Sequence, residues 1–115
     1  MADELDKIRN RYLKLLVEQP PFFINNGYTL EQFAVDLGTN RSYASKFTNM
    51  ELGVTFPVLL NKLRIAHFLS LKNEKPASRI KELAEACGFK SSFAFRRAFK
   101  RIYGTSPSEY LKNKE

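Results

Sequence analysis

Cysteine, histidine and tryptophan are nearly missing from this sequence, which has one cysteine, one histidine and no tryptophan. The single cysteine, Cys87, permits no internal disulfide. With the single histidine, His67, it leaves little material for a metal site or a Cys/His nucleophile. We therefore expect no enzyme activity, no catalytic residues, no metal and no cofactor. Cys87 is expected in an apolar core, because its helix face is otherwise aliphatic, and His67 on a helix surface.

Long apolar runs are also missing. No stretch approaches the ~20 apolar residues that span a bilayer, and the segment after Met1 has no signal-like apolar region. These absences predict a protein of the reducing cytoplasm that does not span a membrane.

Acidic residues are outnumbered, since 19 Lys and Arg stand against 12 Asp and Glu, giving a net charge of +7. The excess lies in residues 38–75 and 88–115, which are separated by a segment without net charge. This distribution is typical of proteins that bind a polyanion, either nucleic acid or an anionic membrane.

Prolines and glycines divide the chain into short helices. Apolar residues at helical spacing predict a first helix over 3–19, which Pro20 and Pro21 end. Thr29, with Gln32 three residues later as in a capping box, predicts the start of a second helix.

Helix, glycine turn and helix then form the outline of a helix-turn-helix. Gly38 follows the second helix as a residue able to take φ > 0, and a third helix covers 41–52. The remaining predicted elements are a central helix after Thr55 that ends before Pro76, a short helix after Ser78 that Gly88 ends, a helix from Ser91 to Tyr103 and a last one from Ser106-Pro107.

The two helix-turn-helix outlines are related by an internal repeat. Residues 29–38 align with 79–88 at an offset of fifty, including both turn glycines, and the next helices align at an offset of fifty-one. We interpret this as a duplicated two-helix unit. The sequence therefore predicts an all-α fold of about seven helices, with two helix-turn-helix subdomains (1–54 and 76–115) and a linker helix with its connection (55–75).

The stretch "GFKSSFAFRRAFKR" combines four phenylalanines with five basic residues. On a helical wheel of 100° per residue the mixture separates into two faces. The predicted core face holds Phe95, Ala98, Phe99, Ile102 and Tyr103, and the opposite face holds Phe93, Arg96, Arg97 and Lys100. The first unit has Ser42, Ser45, Lys46 and Asn49 at the positions equivalent to this opposite face.

Both opposite faces suit a DNA major groove, whose hydrogen-bond pattern Arg, Lys, Asn and Ser can read. Phe93 fits an apolar contact with a thymine methyl group. Modules that read successive grooves from one side sit ~34 Å apart. A linker helix of roughly sixteen residues spans ~24 Å, so with its flanking turns one polypeptide could reach both grooves without dimerisation.

The chain resembles the DNA-binding domain of AraC/XylS-type transcription regulators over nearly its whole length. The first unit, "YTLEQFAVDLGTNRSYASKFTNMELGVTF", and the linker "LRI" are similar to the family. The most specific stretch is "IKELAEACGFKSSFAFRRAFKRIYGTSPSEYL", with Ala84, Gly88, Phe89, Phe95, Arg97, Phe99, Lys100, Gly104, Ser106-Pro107 and Tyr110 at characteristic positions. The resemblance implies a bilobal seven-helix fold whose third and sixth helices enter adjacent major grooves of double-stranded DNA near a promoter, and it implies contact with RNA polymerase.

The wheel and the resemblance together nominate two sets of site residues. The candidates for base contacts are Ser42, Ser45, Lys46, Asn49, Ser92, Phe93, Arg96 and Arg97. The candidates for phosphate contacts, near helix ends, are Arg41, Lys90, Ser91, Lys100 and Arg101. The departures from the family pattern are Phe93, Ala94, Arg96 and the linker residue Phe68, and they concern base preference rather than fold.

Two alternatives stay open. The chain is either a stand-alone regulator or the C-terminal part of a larger protein, in which case a separate sensor domain would be the part that oligomerises and the DNA-binding unit would stay monomeric. The alternative function is a basic helical protein-interaction module, in which Arg96 and Arg97 bind an acidic partner. A membrane is not expected as a partner, because basic amphipathic helices of membrane-surface proteins rarely form paired helix-turn-helix units with turns at Gly38 and Gly88.

Overall fold

The computed structural model describes residues 2–114, which form seven α-helices and one short 3-10 helix and contain no β-strand. This architecture confirms the all-α fold. The α-helices are α1 (Ala2–Leu16), α2 (Leu30–Asp36), α3 (Arg41–Met50), α4 (Phe56–Glu74), α5 (Ile80–Ala86), α6 (Ser92–Tyr103) and α7 (Pro107–Asn113), and the 3-10 helix covers Phe22–Ile24.

The chain divides into two compact units, the first reaching Leu60 and the second beginning at Asn61. The division falls within α4, so this helix contributes residues to both units. The first unit contains the pair α2 and α3, and the second contains the pair α5 and α6. Each unit is built around its own hydrophobic core.

Aromatic rings fill the core of the first unit. Tyr12 of α1 meets Phe33 of α2 and Phe47 of α3 edge-on, with ring centroids 6.1 and 5.3 Å away. Phe22 of the 3-10 helix stacks on Phe33 at 5.9 Å, and Phe23 is buried. Such pairs contribute roughly 0.5–1.5 kcal/mol beyond the burial of their area. The segment after the prolines thus returns to the core, and α3 is anchored there through Phe47.

Phe68 of α4 lies at the centre of the core of the second unit. Its ring centroid is 4.7 Å from that of Phe95 and 6.4 Å from that of Phe99, both on α6. Phe89, in the turn before α6, meets Phe95 at 5.1 Å. Cys87 is fully buried in the same cluster, which confirms its prediction as a core residue. One face of α6 is therefore anchored by aromatic packing.

The two helix-turn-helix pairs differ in how the N-terminus of the first helix is capped, but share a glycine with positive φ in the turn. The Thr29 hydroxyl oxygen accepts the Gln32 N–H at 3.2 Å, and the Gln32 side chain accepts the Thr29 N–H at 3.0 Å, which confirms the predicted capping box. Arg79, at the equivalent position before α5, provides no side-chain cap. Gly38 and Gly88 then follow α2 and α5 with φ of 64° and 103°, in a region that glycine adopts without steric cost.

Two helix ends differ from the predicted ones. α1 ends at Leu16 rather than at residue 19, since the N–H groups of Val17 and Glu18 bond to carbonyls three residues back and tighten the last turn. α3 ends at Met50 rather than at residue 52, because the Leu52 N–H bonds five residues back, as in a helix C-terminal motif. Apolar spacing alone does not report where this change of hydrogen bonding occurs.

Candidate nucleic-acid interface

Local interactions fix both ends of α6. Ser91 precedes it in extended backbone, and the Ser91 Oγ accepts the backbone N–H of Ala94 at 3.0 Å. At the other end Gly104 takes φ 75°, and its N–H donates to the Lys100 carbonyl at 2.7 Å. These caps define which residues are helical and therefore where each side chain lies around the axis.

One face of α6 lies in the core and the opposite face lies in solvent. Phe95, Ala98 and Phe99 are 1, 8 and 0% exposed. This division confirms the two faces predicted from the wheel. The exposed residues of the opposite face, called the outer face of α6 below, are Phe93, Arg96, Arg97 and Lys100.

The inner face of α6 is shorter than predicted. Ile102 is half-buried, and Tyr103 is 40% exposed. The Tyr103 ring stacks on Phe99 at 4.9 Å and lies 4.7 Å from the ring of Tyr110. Tyr103 therefore covers the edge of the core instead of entering it, because Tyr110 of α7 occupies the neighbouring position.

An exposed cation–π pair lies on the outer face of α6. The guanidinium carbon of Arg97 is 5.5 Å from the ring centroid of Phe93, which stands one turn earlier and is 62% exposed. Such a contact contributes about 0.5–1 kcal/mol at an exposed site. Sequence reasoning placed both residues on this face but did not predict their contact, for which the i, i+4 spacing was the available signal.

Helix α3 is positioned in a similar way. The Asn40 Oδ1 accepts the backbone N–H of Tyr43 at 2.9 Å and caps the helix. Phe47 and Thr48 are fully buried on its inner face. The Thr48 hydroxyl donates to the Ser45 carbonyl at 2.9 Å, so this buried polar group is satisfied within the helix.

The outer face of α3 is polar and less exposed than that of α6. Ser42 and Asn49 are exposed, whereas Ser45 and Lys46 are half-buried. The Asn49 amide donates to the Ser45 Oγ at 3.5 Å, and the Lys46 Nζ lies 5.7 Å from the ring centroid of Tyr43. The helix brings together all four of its predicted base-contact residues, and Tyr43 joins them as a neighbour that sequence reasoning missed.

The predicted phosphate contacts lie at or beside helix ends. The Arg41 Nε pairs with the Glu31 Oε1 at 3.1 Å, and both side chains are exposed, so a phosphate would have to replace Glu31. Exposed pairs contribute only about 0–1 kcal/mol, so this exchange costs little. The Ser91 hydroxyl is engaged as the cap of α6, and Ser92, a predicted base contact, is half-buried in the first turn. The exposed cations near the ends of α6 are Lys90, Lys100 and Arg101.

Arg64 of α4 is a residue whose burial the sequence did not reveal. It is 8% exposed, and its guanidinium carbon lies 6.0 Å from the ring centroid of Phe89 in the turn before α6. Burial lowers the pKa of Arg64. Leu60 and Phe68 stand four residues before and after it, so the available signal was an arginine within an apolar i, i+4 row.

His67, expected on the surface of the linker helix, is half-buried on α4. Within residues 2–114, no three His, Cys, Asp or Glu side chains are grouped so that they could hold a metal ion. None of the helices in the described part of the chain has the length and apolar character needed to cross a membrane.

The fold and the two outward polar helices define a helix-turn-helix protein. The sequence matches the family described as "Helix-turn-helix domain" over residues 33–113. The chain therefore belongs to the AraC-type helix-turn-helix family, whose members are DNA-binding domains of transcription regulators. This membership confirms the resemblance drawn from the sequence.

Curated relatives of this chain are bacterial regulators. It is 37% identical over 111 residues to the TCP pilus virulence regulatory protein of Vibrio cholerae, and the aligned region covers 96% of this chain and 38% of that protein. It is 33% identical over 92 residues to the raffinose operon transcriptional regulatory protein RafR of Pediococcus pentosaceus, and the aligned region covers 77% of this chain and 32% of that protein. The chain thus spans well under half the length of these relatives.

Two solved structures share the fold. The C-terminal domain of AraT, a response regulator from Geobacillus stearothermophilus, is similar with a TM-score of 0.75 and 29% identity, covering 93% of this chain and 84% of that chain. A protein from Listeria innocua is similar with a TM-score of 0.72 and 25% identity, covering 91% of this chain and 94% of that chain. These similarities agree with an AraC-type double helix-turn-helix fold.

Proposed function

We propose that the chain binds double-stranded DNA sequence-specifically, with α3 and α6 in adjacent major grooves, and thereby regulates transcription. The observation that carries this proposal is the outer face of α6, where Arg96 and Arg97 are exposed opposite a buried aromatic face. A B-DNA major groove about 12 Å wide admits one α-helix, and Arg pairs with guanine O6 and N7 through two hydrogen bonds.

Helix α3 reads the other half of the site with different chemistry. Asn49 suits adenine, which offers an acceptor and a donor to an amide, whereas Ser42 and Ser45 accept or donate to either type of base. Lys46, half-buried beside Tyr43, adds one cation. Because the two outer faces differ, the two half-sites have different sequences, and the operator is not a palindrome.

Phosphate contacts hold the register of both helices without reading bases. On α6 these contacts come from Lys90, Lys100, Arg101 and the hydroxyl of Ser91, with the free backbone N–H groups of the first turn. On α3 the corresponding residue is Arg41, whose ion pair with Glu31 would be replaced by a contact with phosphate.

One chain carries both reading helices, so the DNA-binding unit acts as a monomer. Its parts are a first helix-turn-helix subdomain (1–54), the linker helix with its connection (55–75) and a second subdomain (76–115).

RNA polymerase is the further partner at a promoter. The support for a regulatory role is that relatives at 33–37% identity are themselves named as regulatory proteins.

Selection of bound sequences from a random duplex pool tests this function. We expect enrichment of a two-part site whose half-site centres lie about 10 base pairs apart. A pool that stays unenriched would refute sequence-specific binding. If unrelated duplex DNA and an acidic polypeptide displace the selected duplex equally well, the rival function as a protein-interaction module is favoured instead.

Matched variants assign the two halves of the site. Arg96→Ala should abolish the enrichment of one half-site, and Asn49→Ala should weaken that of the other. Lys75→Ala removes an exposed cation outside α3 and α6 and should leave both half-sites unchanged. Loss of the same half-site in the first two variants would refute the assignment of one helix to each groove.

A further inference from the structure

We propose that Phe93 and Arg97 act as one reading unit for a two-base step, a 5-methylpyrimidine followed by guanine on the same strand. This inference rests on the proposed placement of α6 in a major groove and specifies what the helix reads there. The pyrimidine is thymine in unmodified DNA, and 5-methylcytosine presents the same methyl group.

The position of Phe93 is not explained by the core. The other two phenylalanines of α6, Phe95 and Phe99, are 1 and 0% exposed, whereas Phe93 is 62% exposed on the opposite face. The described contact of its ring on this face is with the guanidinium of Arg97, 5.5 Å from the ring centroid. A large apolar ring is therefore held in solvent beside a cation that the interface needs.

The contact with Phe93 leaves the hydrogen-bond donors of Arg97 available. A guanidinium meets a ring with its flat face, while its N–H groups lie in the plane and point outward from the edge. Among residues 2–114, the ion pairs of Arg9 and Arg41 do not involve Arg97. A ring beside the guanidinium thus restricts the rotamers of Arg97 without occupying its N–H donors, which we expect to meet a guanine.

The spacing of the pair matches neighbouring bases. Successive bases of one strand are about 3.4 Å apart along the axis. A ring and a guanidinium whose centres are 5.5 Å apart can therefore contact adjacent bases, allowing for a lateral offset between them. With Arg97 on guanine O6 and N7, the apolar ring lies beside the groove edge of the neighbouring base, where the 5-methyl group of a pyrimidine protrudes.

The internal repeat provides a natural comparison. Lys46 stands fifty-one residues before Arg97 at the equivalent position and also lies near an aromatic ring, 5.7 Å from the centroid of Tyr43. Lysine is a point charge without a planar fork, and Lys46 is half-buried. The methyl-dependent reading is therefore expected from α6 and not from α3.

The test uses one duplex from the selected sites, in which the thymine of the step is replaced by deoxyuridine. This replacement removes the 5-methyl group and nothing else. For the unmodified chain we expect about a 4-fold loss of affinity, the value of one buried methyl group. The Phe93→Ala variant should bind the thymine and uracil duplexes with equal affinity. The unmodified chain should bind a duplex with 5-methylcytosine in the step more tightly than one with cytosine, by about the same factor.

Two further variants separate the two parts of the unit. Phe93→Leu keeps an apolar side chain but has no ring face, so the preference for the methyl group should remain while discrimination at the guanine falls. Val35→Ala truncates an apolar residue that is 75% exposed on α2 and should leave the thymine-to-uracil ratio unchanged. Thermal unfolding of each variant, all at exposed positions, shows whether it is folded.

The outcomes distinguish this inference from the proposed function. The reading unit is refuted if the unmodified chain binds thymine and uracil duplexes equally, if Phe93→Ala keeps the full ratio, or if the half-site lost in Arg96→Ala lacks the methylpyrimidine–guanine step. Each of these results leaves sequence-specific DNA binding intact. A failure to enrich any site from the random pool refutes the proposed function, and the reading unit with it.

Discussion

Leu37 and Cys87 end the first helices of the two helix-turn-helix pairs in the same backbone conformation, with φ −87° and ψ 0° at Leu37 and φ −88° and ψ 0° at Cys87. Both side chains are fully buried, and both N–H groups donate to carbonyls four residues back, of Phe33 and Leu83. A glycine with positive φ follows each residue. The repeat therefore preserves the turn while the side-chain volume in the core changes.

The different caps of α2 and α5 predict a stabilising substitution. Arg79→Thr would place a threonine three residues before Glu82, as Thr29 stands before Gln32. We expect the free energy of unfolding to rise by about 1 kcal/mol, the usual value of an N-cap, and Thr29→Ala to lower it by a similar amount. Urea denaturation measures both changes. An unchanged stability in Arg79→Thr would show that tertiary packing alone sets the start of α5.

Gly38 is a turn glycine with little room for a side chain. A Cβ there would lie 3.0 Å from the Arg11 Nη1, which donates to the Leu37 carbonyl at 3.1 Å, whereas a Cβ at Gly53 would meet nothing within 4 Å. Both substitutions to Ala carry the cost of positive φ, about 1–2 kcal/mol. Gly38→Ala should cost about 1 kcal/mol more, because the Arg11 hydrogen bond is displaced.

Equilibrium unfolding of the two glycine variants checks this difference. In Arg11→Ala the obstacle is absent, so the double variant Arg11→Ala/Gly38→Ala should be less destabilised than the sum of the single variants. Equal losses at Gly38 and Gly53, with additive behaviour of Arg11→Ala, would contradict the steric explanation.

Arg97 and Lys100 are neighbours on the outer face of α6 with different expected roles. Arg97→Ala should cost roughly 1–3 kcal/mol of binding free energy on the selected site and relax the preference at one base pair. Lys100→Ala should weaken all duplexes about equally, because a phosphate contact carries no base information. Titrations on matched and singly mismatched duplexes measure both effects. A uniform loss in both variants would mean that Arg97 contacts phosphate as well.

The salt dependence of binding reports the number of phosphates contacted. If about six are neutralised, the slope of log K against log of the salt concentration is near −5, and affinity falls by ~10³ between 50 and 200 mM salt. Lys100→Ala should make the slope less steep by about one unit, whereas Lys75→Ala should not change it. Affinity that is independent of salt would be incompatible with the proposed interface.

The thiol of Cys87 should be unreactive in the folded protein. Burial raises the pKa of Cys87 from 9.0 to about 12. The folded state therefore keeps a proton that the unfolded state loses above about pH 9, so this group's contribution to stability persists below pH 9 and is lost as pH rises toward 12. Alkylation at pH 8, followed by mass spectrometry, should be slow in the native chain and fast in urea. Rapid modification of the native chain would contradict this burial.

Interactions within a few residues were predictable without the structure. The capping box at Thr29, the glycine turn at Gly38 and the start of α6 at Ser91 each depend on groups that the chain brings together by itself. The two faces of α6 also follow from helical spacing. By contrast, the ends of α1 and α3 depend on which carbonyl a terminal N–H reaches, and apolar spacing does not contain that information.

The order of side chains along the chain is sufficient for the helices, their duplicated arrangement and the outward position of Arg96 and Arg97, because local hydrogen bonds and helical periodicity act over a few residues. Packing between distant segments is required for the rest. Arg64 is buried beside the ring of Phe89 in the turn before α6, and Tyr103 lies at the edge of the core beside Tyr110 of α7. Each of these contacts joins residues of different structural elements, and only the folded chain brings them together.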